Sequence, residues 1–305
     1  MTVKRFGVKK LSKLIFPLLG SLVFILIFYK LIHVWEEIKY NTYISSFPSL
    51  LLSIVFISMF FILLAVGWSF VFSKLSRQLN FKELVFLYSK SQLARYLPGG
   101  IWNYVGRAAI LKAKNVNYSI ILQSFILEAV LLALSSLITG IMSCFRILNN
   151  IEVLIGFFII ILLTIGLYTY RPIINYFYKL LIKKDIYLIR IPNLFLFKML
   201  LFYITAWIVA SVGFALFVFS ISDLDQNLSF LNVCGLFPLS WIVGFISPMP
   251  GGIGVRETAL IMLANRLDIG SFSYLISVAS RGLIIVAEII SFGLILAWNH
   301  FNNDN

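Results

Sequence analysis

Leu97-Pro98-Gly99-Gly100-Ile101-Trp102 and Met249-Pro250-Gly251-Gly252-Ile253-Gly254 share the phrase Pro-Gly-Gly-Ile, 152 positions apart in a chain of 305 residues. Both copies interrupt strongly apolar sequence, and an arginine follows each: Arg107 after the first, Arg256 after the second. Proline removes a backbone donor and clashes with the preceding turn, while paired glycines favour leaving helical geometry. In hydrocarbon, such a break survives only where protein or trapped water satisfies the freed backbone groups. Interrupted apolar segments at corresponding places in two halves point to a transporter-like binding site between repeats. The plainer reading is two unrelated helix kinks that happen to match.

Working outward, composition sets the class. Hydrophobic residues make up 61% of the chain and charged residues 12%, against about a quarter charged in soluble domains. Apolar runs of about 20 residues, each able to cross a bilayer as a helix, recur along the whole length. The chain reads as an all-α polytopic membrane protein, a single transmembrane domain over residues 1–305. Its net charge of +13 would suggest nucleic acid in a soluble protein. Here it fits cytoplasmic loops facing anionic lipid headgroups, and no nucleic-acid partner is expected. Cys144 and Cys234 are too few and too far apart for a disulfide framework or metal cluster, and His33 and His300 stand singly at expected helix ends. No metal or other cofactor is therefore expected. No Gly-x-x-x-x-Gly-Lys-[Ser/Thr] phosphate loop occurs.

Six full spans are expected: Leu14–Ile32, Leu50–Phe72, Tyr118–Ser143, 153–169, 199–220 and Phe272–Trp298. The first follows a basic start but is too long for a signal-peptide core and lacks a small-residue cleavage site, so it reads as a retained helix. The segments around the two breaks, 84–112 and 228–265, are each too short on either side of the break to span. They read as re-entrant hairpins, the first from the cytoplasm and the second from outside. Basic residues number five in 1–13, three in 73–83 and six in 170–198, which places these segments in the cytoplasm. The loops 33–49, 144–152 and 221–229 hold only Lys39 and Arg146 against Glu36, Glu37, Glu152, Asp223 and Asp225, which places them outside. Each half, 1–150 and 151–305, then reads span, span, hairpin, span. Three crossings per half give opposite orientations: an inverted-topology repeat in the cell membrane, with both termini cytoplasmic.

A hairpin turning at Pro-Gly-Gly starts a half-helix inside the membrane, with free N–H groups and the positive dipole end at the break. That is an anion site suited to phosphate. Arg256 lies about one turn past Gly252 and Arg107 about two turns past Gly100. Either arginine can supply a charge-assisted fork to phosphate, and either can instead snorkel to an interface. Arg256 is the expected headgroup ligand; snorkelling accounts well for Arg107, so Arg107→Lys is expected to be the milder change. Glu128, in mid-span, reads as a substrate or proton site or as a partner of Arg281 or Arg107, with pairing favoured. Arg281 and Glu288 lie seven apart on one helix face, so an intrahelical network is a further reading. The helix dipole by itself accounts for Glu257. Tyr96, Trp102, Tyr104 and Trp241 suit packing around a headgroup or marking an interface. The candidate substrate site comprises Pro98, Gly99, Gly100, Arg107, Glu128, Pro250, Gly251, Gly252, Arg256, Glu257 and Arg281.

At these residues the chain resembles the lysylphosphatidylglycerol synthase transmembrane-region family, also called the flippase-like domain. The resemblance rests on Met249-Pro-Gly-Gly-Ile-Gly-Val-Arg-Glu257 and Tyr96-Leu-Pro-Gly-Gly-Ile-Trp-Asn-Tyr-Val-Gly-Arg107, and it covers essentially the whole chain. The second motif is the more specific, keeping Pro250, Gly251, Gly252, Ile253, Gly254 and Glu257 in the pattern P-G-G-I-G-x-x-E. The resemblance implies movement of an anionic or modified lipid, aminoacylated or glycosylated, between leaflets. In two-domain members a soluble aminoacyltransferase domain makes lysyl-lipid. No such domain follows the last expected span, so lipid lysylation by this chain is not expected. Stand-alone members are associated with glycolipid and cell-envelope assembly, which implies an envelope-biosynthesis enzyme as a partner.

Three functions stand at this point. The first is a lipid flippase. The second is a membrane-embedded transferase, against which the chain offers no paired carboxylates, Cys/His or Ser/His arrangement, or metal-binding aspartates. The third is an accessory scaffold for an envelope enzyme, which gives no reason for the repeated motif.

Overall fold

The computed structural model describes residues 46–96, 102–145, 147–182, 188–221, 228–247 and 252–301, with Met249 and, near the N-terminus, Ile25, Tyr29, Ile32 and His33. All regular secondary structure among these residues is helical. The helices are α1 (Phe47–Leu75), α2 (Phe81–Gln92), α3 (Trp102–Ala113), α4 (Tyr118–Cys144), α5 (Asn150–Ile182), α6 (Asn193–Ile221), α7 (Phe230–Ile246), α8 (Val255–Asn265) and α9 (Phe272–Phe301), with a 3₁₀ turn at Leu93–Tyr96.

Five stretches are long and apolar enough to cross a membrane: Phe47–Leu75, Tyr118–Cys144, Asn150–Tyr170, Asn193–Ile221 and Phe272–His300. They coincide with five of the six expected spans. The remaining one, Leu14–Ile32, falls outside the described residues except for Ile25, Tyr29 and Ile32, which are helical. The fourth expected span ends where α5 bends, at Thr169 (φ −112°, ψ 16°). Pro172 explains the bend: it has no N–H to donate, and its ring crowds the carbonyl one turn back. Local chemistry sets other boundaries. Ser46 caps α1 by accepting the Ser49 N–H at 3.3 Å. Asn80 and Glu83 cap α2 reciprocally, with Glu83 N–H to Asn80 Oδ1 at 2.8 Å and Asn80 N–H to Glu83 Oε2 at 3.3 Å.

The helices beside the breaks are short: 12 residues each for α2 and α3, 17 for α7 and 11 for α8. At about 1.5 Å per residue none reaches the ~30 Å of a hydrocarbon core. The two members of each pair pack on one another. Lys114, just past α3, donates to Glu83 at the start of α2 at 2.9 Å, so the outer ends of the first pair lie side by side. That hydrogen bond draws the Glu83 carboxyl below its ordinary range.

The largest helix contact joins α1 to α6. Tight crossing needs small residues where backbones meet. A Cβ on Gly67 would meet Tyr203 and Phe202 at 3.0 Å, and one on Gly213 would meet Phe56 at 2.8 Å and Ile57 at 3.2 Å. Trp207 fills the centre, its ring 5.0 Å from Phe60 and from Trp241 and 5.8 Å from Phe237. Its Nε1–H donates to Leu132 O at 3.2 Å. The α4–α7 contact is closer still. A Cβ on Gly235 would stand 2.2 Å from Cys144 Sγ, one on Gly140 would stand 2.6 Å from Leu239, and Ser136 donates to Pro238 O at 2.8 Å. Gln123 pins the segment after α5 beneath α4: its Nε2 donates to Tyr170 Oη and Ile189 O, and its Oε1 accepts the Ile189 N–H at 3.0 Å.

Candidate functional site

Of the expected site residues, Pro98, Gly99, Gly100, Pro250 and Gly251 lie outside the described residues. Of the rest, Arg107 with Glu128 and Glu257 with Arg281 form ion pairs that tie the short helices to the long ones.

Arg107 sits mid-way along α3 and is fully buried. Its Nη1 donates to Glu128 Oε2 on α4 at 2.9 Å. Four rings surround the guanidinium, with centroids at 4.6 Å for Trp68, 4.5 Å for Tyr88, 5.3 Å for Tyr104 and 4.8 Å for Phe125. Each such contact stabilises a desolvated cation by about 0.5–2 kcal/mol. The snorkelling reading of Arg107 therefore does not hold: the side chain is enclosed by protein on all sides. Of the two partners considered for Glu128, Arg107 is the one it meets.

Arg281 on α9 does not bond along its own helix to Glu288. Its Nε donates to Glu257 Oε1 on α8. Glu257 Oε2 accepts the Gly254 N–H at 2.8 Å, so Glu257 also caps the helix it begins. Ser277 on α9 donates to the Glu257 carbonyl at 3.3 Å. Glu288 instead faces Arg95 in the 3₁₀ turn before the first break, Nη2 to Oε1 at 3.7 Å. Arg95 also donates to Gln92 Oε1, which accepts from Asn103 Nδ2 at 3.3 Å. A polar chain thus runs from α3 through α2 and the turn to α9.

Arg256, 8% exposed, is the second residue of α8, with its guanidinium 5.0 Å from the Phe237 ring. Gly252 (φ +65°) and Gly254 (φ +82°) supply the left-handed backbone the second break requires. Gly252 backs directly on Gly244 of α7. Trp241 stacks on Phe245 with centroids 4.8 Å apart, and Tyr104 belongs to the Arg107 cage. Trp102 is half exposed, and the Tyr96 side chain lies outside the described residues.

Reading by sequence gave no role to Arg95, just before the first break, or to Gln92 and Asn103. Their signal was polarity in apolar segments that flank a break. Among the described residues, this interior assembly holds four arginines (Arg95, Arg107, Arg256, Arg281) and three glutamates (Glu128, Glu257, Glu288), an excess of one positive charge. Charges at this depth are costly unless paired, and they mark sites of function in membrane proteins.

The curated proteins searched contain no match to the chain. The family model described as the lysylphosphatidylglycerol synthase TM region matches residues 14–295, which takes in both breaks, the Arg95–Glu288, Arg107–Glu128 and Glu257–Arg281 pairs, and the long helices up to the last six residues of α9. With that coverage, the chain belongs to the lysylphosphatidylglycerol synthase TM region family, a family of membrane proteins.

Proposed function

We propose that this protein translocates an anionic or modified lipid, aminoacylated or glycosylated, between the leaflets of the cell membrane. The observation that carries the proposal is the interior cluster of arginines and glutamates at the two breaks, with its excess positive charge. A phosphate-bearing headgroup complements that excess, while its tails stay in lipid beside the short helices. Membership of the family supports the same reading.

An inverted-topology repeat is part of the proposal. Gly67 against Phe202 and Tyr203 has its counterpart, 146 positions displaced, in Gly213 against Phe56 and Ile57. The contacts match in pairs: α1 with α2 as α6 with α7, α9 with α1 as α4 with α6, and α9 with α2 as α4 with α7. Each half also joins its second short helix to the following span by an ion pair of swapped polarity, Arg107–Glu128 in one and Glu257–Arg281 in the other. Glu128 lies ~15 Å along α4 and Arg281 ~14 Å along α9, each about half a bilayer deep.

The short pairs act as re-entrant hairpins of opposite entry side, and both termini are cytoplasmic. The Lys114–Glu83 contact supports a first pair that enters and leaves on one face. Arg266, just past α8, forks to Glu152 in the first turn of α5 (2.5 and 2.7 Å), which supports a second pair ending on the other face. With Cys144 and Cys234 replaced by alanine, single cysteines at Gln78 and Asn117 should label from the cytoplasm. Those at Asn149 and Asn265 should label from outside. Asn117 labelling together with Asn149 would sink the hairpin topology.

The function is tested in liposomes carrying the purified protein and a fluorescent phospholipid, with a leaflet-selective quencher. Quenching of both leaflets, faster than in empty liposomes, is expected. Movement at the empty-liposome rate across several headgroups would leave the membrane-transferase or scaffold reading instead.

A further inference from the structure

Glu257 does more than cap a helix. Its two carboxylate oxygens take two different donors: Oε2 accepts the Gly254 N–H at the start of α8, and Oε1 accepts from Arg281 Nε on α9. A helix N-terminal N–H and an arginine fork are the donors a phosphate recruits. The seat is therefore filled by an anion that belongs to the chain.

It is not a saturated seat. Arg281 Nη2 is buried and has no hydrogen-bond partner. The Ser273 hydroxyl is wholly buried and likewise without one. Ser273, Ser277 and Arg281 follow at intervals of four on α9, so they share the face that meets Glu257. Donors exceed acceptors here, which a four-oxygen anion would correct and one carboxylate does not. The Arg281 side chain is 26% exposed, whereas Arg107 in the corresponding pair of the other half is 0% exposed. Of the two pairs, this is the one an incoming group can reach.

From this arrangement we infer that Glu257 is a tethered competitor for the phosphate of the lipid headgroup. The inference rests on the lipid-translocation reading above. The headgroup displaces the carboxylate, the Arg281 fork passes from carboxylate to phosphate, and Glu257 reclaims the seat as the lipid leaves. A tethered group competes at an effective concentration of about millimolar or more. It keeps binding weak enough for release and the seat closed between passages. Capping alone explains the Oε2 contact, and a neutral glutamine does that equally well. It gives no reason for a charged, buried partner to Arg281.

Glu257→Gln separates the two roles, because it keeps the cap and removes the charge. The probe is fluorescent phosphatidylglycerol titrated against the purified full chain in detergent, with diacylglycerol as the phosphate-free control and inorganic phosphate as a soluble competitor. Glu257→Gln should bind phosphatidylglycerol about tenfold or more tightly than the unsubstituted chain, the scale of one charge-assisted hydrogen bond released from competition. Arg281→Gln should bind it at least about tenfold more weakly. Competition by inorganic phosphate would assign the seat to free phosphate as well as to the headgroup; its absence would assign it to the lipid. Should Glu257→Gln fail to fold, Glu257→Asp, too short to span both donors, must still bind more tightly than the unsubstituted chain. Unchanged or weaker binding by the Glu257 variants, in a protein that scrambles lipid, overturns the competitor and leaves translocation standing. No phosphatidylglycerol binding and no scrambling by the unsubstituted chain overturns both.

Discussion

Glu128→Leu is expected to destabilise the protein by about 3–5 kcal/mol, the scale of removing one member of a buried ion pair. The loss comes from what is left behind. Arg107 is fully enclosed, and without Glu128 its charge has no carboxylate within the cage of Trp68, Tyr88, Tyr104 and Phe125. Ring faces attract a cation but cannot replace a counter-charge removed from water. Arg107→Leu should cost a similar amount, since it strands the Glu128 carboxylate instead. The double variant, Arg107→Leu with Glu128→Leu, should recover most of the loss, because apolar replacement of a whole buried pair is often near neutral. Arg107→Lys should fall between. An ammonium keeps the charge but loses the planar fork and its stacking on four rings. Unfolding in mild detergent, followed by tryptophan fluorescence with Trp68 inside the cage, reads all four. A Glu128→Leu protein within about 1 kcal/mol of the original would mean that the pair is solvated in the membrane.

Gly252→Ala is the second large effect, at about 3 kcal/mol. Gly252 holds φ at +65°, where a side chain costs about 1–2 kcal/mol. An added Cβ would also stand 2.9 Å from Gly244 Cα, 3.0 Å from its O and 3.1 Å from its C. Those are backbone atoms of α7 and cannot rotate away, so overpacking adds about 1–3 kcal/mol. Relief would have to come from parting α7 and α8, which would also shift Arg256, whose Cβ lies 2.9 Å from where a Cβ on Gly244 would sit. Lipid movement should therefore fall with stability. Gly106→Ala and Gly282→Ala are the controls: both are helical, with nothing within 4 Å of the added carbon. They should be neutral or stabilising by up to about 1 kcal/mol. Equal melting temperatures for Gly252→Ala and the two controls would reduce the second break to an ordinary turn.

The charges show where reading along the chain stops. Glu128 was recognisable as too costly to be idle, and pairing was the favoured reading. Arg107 lies 21 positions before it, and nothing in the linear order separates that partner from Arg281. Arg281 and Glu288 share a helix face, which on sequence alone allows an intrahelical network. Each found a closer partner on another helix, Glu257 in one case and Arg95 in the other. The snorkelling expected of Arg107 failed for the same reason, because exposure depends on which helices close around a residue. Glu257 was legible as a carboxylate favoured by the helix dipole, but neither as the cap that accepts the Gly254 N–H nor as the partner of Arg281.

What the sequence by itself determined was the membrane class, the positions of the long helices, the two breaks and the shortness of the helices beside them. These follow from hydropathy, length and backbone chemistry, which act within one turn or one span and need no knowledge of neighbours. Thr169 and Pro172 mark the end of the fourth expected span by the same local rule. Only the tertiary structure decided which arginine meets which glutamate, which guanidinium is sealed among aromatic rings and which is partly exposed. Those outcomes depend on helix faces brought together across long stretches of sequence, where a shift of a few ångströms separates a hydrogen-bonded pair from a buried charge without one.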